Sequence, residues 1–160
     1  MPNRPATKKR GSASKGGAAK KRVKRKYLVF ISHSSKDSFV VGLLEKYIKE
    51  KLGRGGVETY LDMRDLEAGD DIALEIKEQI QQCNEVMVFL TKYSASSQWV
   101  LTETGAAWGL DKRIVVIIDK VTPEEMPKIV VPFKRIDVND FDTYIKQLSA
   151  RAQKERSNDG

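Results

Sequence analysis

The sequence predicts an α/β fold: a flavodoxin-like, doubly wound, five-stranded parallel sheet of order 2-1-3-4-5, with helices on both faces. Three observations carry this. The runs Tyr27–Ile31, Val86–Leu90 and Ile114–Ile118 are continuously apolar, as strands covered on both faces must be. The segments between them carry apolar residues at helical spacing. The first run breaks into the small polar loop Ser32-His33-Ser34-Ser35 and then a helix start at Asp37. That succession forms one wall of a ligand crevice beyond the carboxyl end of a strand.

The 160 residues suffice for one domain with a sizeable core, and 40% hydrophobic with 32% charged residues fits a folded soluble protein. The net charge of +7 hides a division. Residues 1–26 hold eleven Lys or Arg and no acidic residue, whereas the other 134 carry 18 basic against 22 acidic groups. The segment 1–26 has too little apolar surface to offset ordering entropy and is expected to be a disordered basic tail. Such a tail is either solubilising or a handle for a polyanion, nucleic acid or anionic lipid. Cys83 alone excludes an internal disulfide, and no apolar run reaches the length of a membrane span. The basic N-terminus has no apolar segment behind it, unlike a secretory signal. The expected location is cytoplasmic.

In chain order, Asp37–Leu52 reads as a helix on Phe39, Val40, Leu43, Leu44, Tyr47 and Ile48, and Gly53-Arg-Gly-Gly56 as a turn. Val57–Leu61 alternates, as an outer strand does. Asp62–Asp71 is a polar loop, and Asp70 or Asp71 caps a helix bearing Ile72, Ile76 and Ile80. Cys83, at its end, reads as a small apolar filler. The second apolar strand, Val86–Leu90, leads through Tyr93, Ser94, Ser96 and Ser97 to a helix carrying Trp99 and Glu103. The third, Ile114–Ile118, is followed by an irregular connection, 119–133, with three of the five prolines. Lys134–Asp137 is a short edge strand. Asn139 or Asp140 caps a last helix on Phe141, Tyr144, Ile145 and Leu148, leaving 151–160 as a polar, frayed tail. The domain is thus placed at 27–150.

In a 2-1-3-4-5 sheet the strand order reverses between the first and third strands, so the crevice is lined by Ser32–Ser35 and by 91–103. Trp99 and Glu103, four apart, share one helix face at its mouth. Glu103 is read there as a solvent-facing carboxylate and Trp99 mainly as packing. His33 is the only histidine, so no histidine pair exists to hold a metal. A hydrolase built on Ser34, His33 and Asp62 lacks a Gly-x-Ser-x-Gly elbow. Hydride transfer lacks a Gly-x-Gly-x-x-Gly turn.

Phe30-Ile-Ser-His-Ser-Ser-Lys-Asp37 resembles the first box of TIR (Toll/interleukin-1 receptor) domains. Asp62 with Leu66-Glu-Ala-Gly-Asp70 resembles their second-strand end and BB loop. Ser97-x-Trp99-x-x-x-Glu103 resembles the segment that holds the catalytic glutamate of NAD-cleaving members. The three boxes stand in order over 27–150, in the manner of bacterial stand-alone TIR proteins. Some animal members carry basic residues where this chain has Ser34 and Ser35.

The resemblance implies an NAD+ glycohydrolase or ADP-ribosyl cyclase with Glu103 catalytic and NAD+ as substrate, needing no cofactor or metal. It implies substrate contacts from Phe30, Ser32, His33, Ser34, Ser35, Asp62, Glu67 and Trp99. It also implies self-association through Leu66, Ala68, Gly69 and Asp70, with a role in defence or cell-death signalling. One carboxylate suffices in principle, because the leaving group is a pyridinium nitrogen that departs as neutral nicotinamide and no general acid is required. The alternatives are a non-catalytic scaffold that gathers other TIR domains and a nucleoside- or nucleotide-processing enzyme on the same fold.

Overall fold

A computed structural model describes residues 25–61 and 72–158. Five strands form one parallel sheet: β1 (Tyr27–Ser32), β2 (Val57–Leu61), β3 (Glu85–Leu90), β4 (Arg113–Ile118) and β5 (Lys134–Asp137), in the order β2-β1-β3-β4-β5. Four helices connect or follow them: α1 (Ser38–Leu52), α2 (Ile72–Gln82), α3 (Gln98–Gly109) and α4 (Phe141–Asn158). The doubly wound order expected from the apolar runs is the observed one. Among the described residues no helix is long and apolar enough to cross a membrane.

The period of two along each central strand sorts the core into two layers. Tyr27, Val29 and Ile31 of β1, with Met87, Phe89, Val115 and Ile117, meet Val41, Ile48 and Leu52 of α1 and Tyr144 and Leu148 of α4. Phe30 of β1, with Val86, Val88, Leu90, Ile114 and Val116, meets Ile76 and Ile80 of α2 and Val100 and Ala107 of α3. Fully enclosed side chains such as Phe30, Ile31 and Phe89 each contribute about 1.5–3 kcal/mol relative to exposure. Cys83 is buried in the second layer, as an apolar filler should be. The edge strands bury little: only Val57 in β2 and Ile136 in β5.

Several expectations need correction. The helix expected from Asp37 begins with a 3-10 turn, Ser35–Asp37, capped by Ser34, and α1 proper starts at Ser38. The apolar stripe of α1 is wider than its buried face: Val41, Ile48 and Leu52 point inward, whereas Phe39 is 80% exposed and Leu43 and Val40 also face solvent. The cap expected at Asn139 or Asp140 comes earlier, because Asp137 accepts a hydrogen bond from the Asn139 N–H at 2.9 Å and starts the 3-10 turn Val138–Asp140.

Residues 151–158 are not a frayed tail. α4 runs to Asn158, with Ala152 buried and Arg151 reaching Glu85 at the first residue of β3. Glu85 is fully enclosed. It accepts hydrogen bonds from Tyr27 Oη (2.9 Å), Tyr144 Oη (2.8 Å) and Arg151 Nε and Nη2 (2.7 and 3.0 Å). The polar look of 151–158 concealed a cation required inside.

Gly56 sits at φ 82, in the left-handed region, and its carbonyl accepts from the Tyr27 N–H at 2.8 Å as the chain enters β2. The expected basic tail (except Arg25 and Lys26), the loop Asp62–Asp71 with its cap at Asp70 or Asp71, and the last two residues lie outside the described residues.

Candidate active site

β1 and β3 end side by side, and from there the chain runs outward in opposite directions along the sheet. Ser32 closes β1. It follows Phe30 by two, so its side chain shares the layer of α2 and α3.

On the facing helix, Ser97 caps α3 by accepting from the Val100 N–H at 3.4 Å. The buried positions of α3 are Val100, Glu103, Thr104 and Ala107, a spacing that defines one inward face. Glu103 therefore lies in the middle of the apolar stripe. Only 2% of it is exposed, and its Oε2 accepts a hydrogen bond from Ser32 Oγ. The solvent-facing carboxylate expected from the sequence is thus corrected to a buried one. The pattern had been matched to a helix surface, but the small residues Thr104 and Ala107 let α3 lie close to β1 along this face.

A second contact crosses the same gap. Asp37, with 7% exposure, turns its carboxylate inward instead of capping α1, and Thr91 Oγ1 donates to its Oδ2 at 2.8 Å. Burial pushes the Asp37 carboxyl above its usual range. The Thr91 hydrogen bond and nearby His33 pull it back, while Asp119 adds to the rise. Thr91 Oγ1 also accepts from the N–H of Tyr93 at 3.1 Å. Ser94, fully buried, accepts from the Thr91 N–H at 2.7 Å and donates to the Phe89 carbonyl at 2.8 Å. These bonds fix the turn between β3 and α3.

The other expected site residues divide. His33 and Ser34 are buried beside Ser32, while Ser35 is exposed. Ser34 Oγ accepts from the Lys36 N–H at 3.3 Å, and His33 Nε2 lies 3.5 Å from Ser38 Oγ, so the printed contacts do not pair Ser34 with His33. Phe30 is enclosed in the apolar core. Trp99 is half-buried and packs on the same layer, in keeping with a packing role. Asp62, Leu66, Glu67, Ala68, Gly69 and Asp70 lie outside the described residues. Among the described residues no three His, Cys, Asp or Glu side chains converge as a metal ion would require.

Asp37 and Thr91 were missed as site residues. Asp37 reads as an ordinary helix start, and Thr91 as a strand end. Their pairing is a contact between loops 54 positions apart, and no local pattern announces it. Chemically, the site offers one enclosed carboxylate, held by a hydroxyl, beyond the ends of the two central strands. It can stabilise a developing cation or accept from substrate hydroxyls.

The chain is similar in fold to several solved structures. The TIR domain of the Toll-related receptor TRR-2 from Hydra magnipapillata aligns with 77% of this chain and 91% of that one, at 21% identity and a TM-score of 0.56. The TIR domains of the activated Roq1 resistosome, which directly recognises the pathogen effector XopQ, cover 82% and 80%, at 22% and 0.50. The CMP N-glycosidase BcmB of Clostridium botulinum covers 77% and 98%, at 15% and 0.53. At these identities the likeness is one of fold. No curated protein matches the chain in sequence. The family described as TIR domain matches residues 29–150. With more than half of its length so matched, and with the sheet order and the boxed residues in place, the chain belongs to the TIR-domain family.

Proposed function

We propose that the protein cleaves the N-glycosidic bond between nicotinamide and ribose in NAD+, with Glu103 as the catalytic group. The observation that carries this reading is the enclosed Glu103 carboxylate, bonded by Ser32 Oγ beyond the carboxyl ends of β1 and β3. A carboxylate taken out of water is costly unless something is gained by it. Here the gain is a negative charge aimed, with little solvent screening, at a position where a ribosyl cation would form.

The bond between C1′ and the pyridinium nitrogen breaks with its electron pair going to nitrogen, so nicotinamide leaves neutral. The oxocarbenium-like ribosyl group is stabilised by Glu103 and captured by water, giving ADP-ribose, or by an internal nucleophile, giving a cyclic product. Ser32 holds the carboxylate in place. The fold shared with BcmB, a CMP N-glycosidase, supports N-glycosidic chemistry on this framework.

Activity is proposed to need self-association. The segment Asp62–Asp71 has four Asp and one Glu against one Arg, a composition suited to docking on another surface rather than packing in its own core. A neighbour covering the crevice would exclude water from Glu103. A role in defence or cell-death signalling follows from the resemblance.

The test is nicotinamide release by purified full-length protein, at rising concentration and as a clustering fusion, with CMP and nucleosides as parallel substrates. Specific activity on NAD+ is expected to rise with concentration, and Gly69→Pro is expected to abolish it without unfolding the domain. Cytosine release from CMP without nicotinamide release would shift the assignment to a nucleotide N-glycosidase. No turnover by the clustered protein would leave the non-catalytic scaffold as the correct reading.

A further inference from the structure

We propose that Lys36, Lys92 and Tyr93 form the subsite that takes the phosphate groups of the nucleotide substrate. This rests on the reading of the Glu103 crevice as a site of N-glycosidic cleavage.

Three contacts span the gap between the loop after β1 and the loop after β3, and they grade from inside to outside. Ser32 and Glu103 are enclosed, at 0% and 2% exposure. Asp37 and Thr91 follow at 7% and 6%. The third contact, at the surface, sets the Lys36 Nζ 5.0 Å from the ring centroid of Tyr93, itself 41% exposed. Lys92, beside Tyr93 in the chain, also places its Nζ 5.0 Å from that centroid. The rim above the buried carboxylate therefore carries one ammonium group from each wall, both drawn to one ring.

This arrangement is electrostatically incomplete. Both ammonium groups lie within two such lengths of each other, and like charges so placed repel. Neither lysine has a carboxylate partner within ion-pair distance among the described residues. The contrast is Arg151, which also lies over an aromatic ring, Tyr144 at 5.8 Å, but has Glu85 as its counter-ion. An anion lying between Lys36 and Lys92 would complete the group. A nucleotide whose ribose reaches Glu103 has its phosphates on the outward side of the sugar, where the two lysines stand. Tyr93 keeps the two cations from collapsing back onto the protein. The loop holding it is pinned by the Thr91 and Ser94 bonds, so the subsite is preorganised.

The test compares full-length parent protein with Lys36→Gln, Lys92→Gln and the double substitution. Both lysines are exposed, so the variants are expected to keep the parent's thermal midpoint. For NAD+, each single change is expected to raise KM by about threefold to fivefold and the double change by about tenfold or more, with kcat unchanged. Nicotinamide riboside presents the same scissile bond without phosphate, and its kcat/KM is expected to be unaffected by either substitution. Calorimetric titration with ADP-ribose, read independently of turnover, is expected to show salt-sensitive binding that the substitutions weaken in the same order. The basic segment 1–26 is present in every variant, so its contribution cancels.

Parent activity on NAD+ with an unchanged KM in the double variant would overturn the subsite while leaving the cleavage reading intact. Lysine-dependent ADP-ribose binding without nicotinamide release would do the reverse. A parent that neither binds ADP-ribose nor cleaves NAD+ would overturn both.

Discussion

Ser32 and Glu103 are 71 residues apart in the chain and meet through one hydrogen bond, the Ser32 hydroxyl donating to Glu103 Oε2. The bond joins the end of β1 to the inward face of α3, and it commits a carboxylate to the interior of a domain that otherwise fills that face with apolar and small side chains. Glu103→Gln keeps the volume and an acceptor for Ser32 but removes the charge. We expect nicotinamide release to fall about 100-fold or more, in line with loss of one preorganised electrostatic group. The thermal midpoint is expected to stay at or above the parent's, since a buried charge has been removed. Undiminished turnover by the Gln variant would show that Glu103 is not the catalytic group.

At the opposite end of the sheet, Glu85 and Arg151 form a bidentate pair supported by Tyr27 and Tyr144. Removing one partner leaves the other without compensation, in surroundings where 18% of the Arg151 side chain and none of Glu85 is exposed. Glu85→Ala and Arg151→Ala are each expected to cost about 3–5 kcal/mol in denaturant unfolding. Ending the chain at residue 150 removes Arg151 and Ala152 together and is expected to cost at least as much. Equal midpoints for the truncated and full chains would show the pair to be ornamental.

Alkaline pH is expected to unfold the domain through three protonated groups. Burial, then the charge and hydrogen bond of Glu85, push the Tyr27 and Tyr144 phenols above their ordinary 10.0. Burial pushes the Cys83 thiol from 9.0 up to about 11. Each group keeps its proton in the folded state at pH values where the unfolded chain has released it. Stability is therefore intact below about pH 9 and falls as pH rises through the folded values. Urea midpoints measured between pH 7 and 11 check this. At pH 8 about a thousandth of native Cys83 is thiolate, so thiol reagents should label it only on unfolding.

Asp37 contributes with the same sign in the acid range. Its carboxyl is raised above 3.8, chiefly by burial, so the charged form costs stability once pH exceeds the raised value, and the cost vanishes as pH falls below it. Asp37→Asn keeps an acceptor for Thr91 and serves equally well beside a helix start. It is expected to raise the thermal midpoint at pH 7 and to leave it unchanged at pH 3. A lower midpoint at pH 7 would mean that the Asp37 charge is itself stabilising.

Deleting residues 1–26 is expected to leave the thermal midpoint almost unchanged. The one printed contact it breaks is the ion pair of Lys26 with Glu58, whose side chains are 57% and 42% exposed, and such pairs contribute at most about 1 kcal/mol. Salt-sensitive retention on DNA, RNA or anionic vesicles is expected to disappear with the segment. Failure of the shortened chain to fold would tie the segment to the domain.

The sequence by itself determined the sheet. Continuous apolar runs at Tyr27–Ile31, Val86–Leu90 and Ile114–Ile118 admit only strands covered on both sides, and right-handed crossovers then leave few orders. It also determined where a crevice must open, at the reversal beside Ser32, because that depends on strand order alone. The tertiary structure decided which polar residues go inside. Glu103, Asp37, Glu85 and Arg151 read locally as surface residues or caps, since each lies on a helix or at a strand end with polar neighbours. Each is enclosed because a partner from a distant segment arrives there: Ser32 for Glu103, Thr91 for Asp37, and Tyr27, Tyr144 and Arg151 around Glu85. Apolar burial is written as a periodicity that any short window contains. The burial of a charge depends on a partner brought near by the fold, and that pairing has no local period to read.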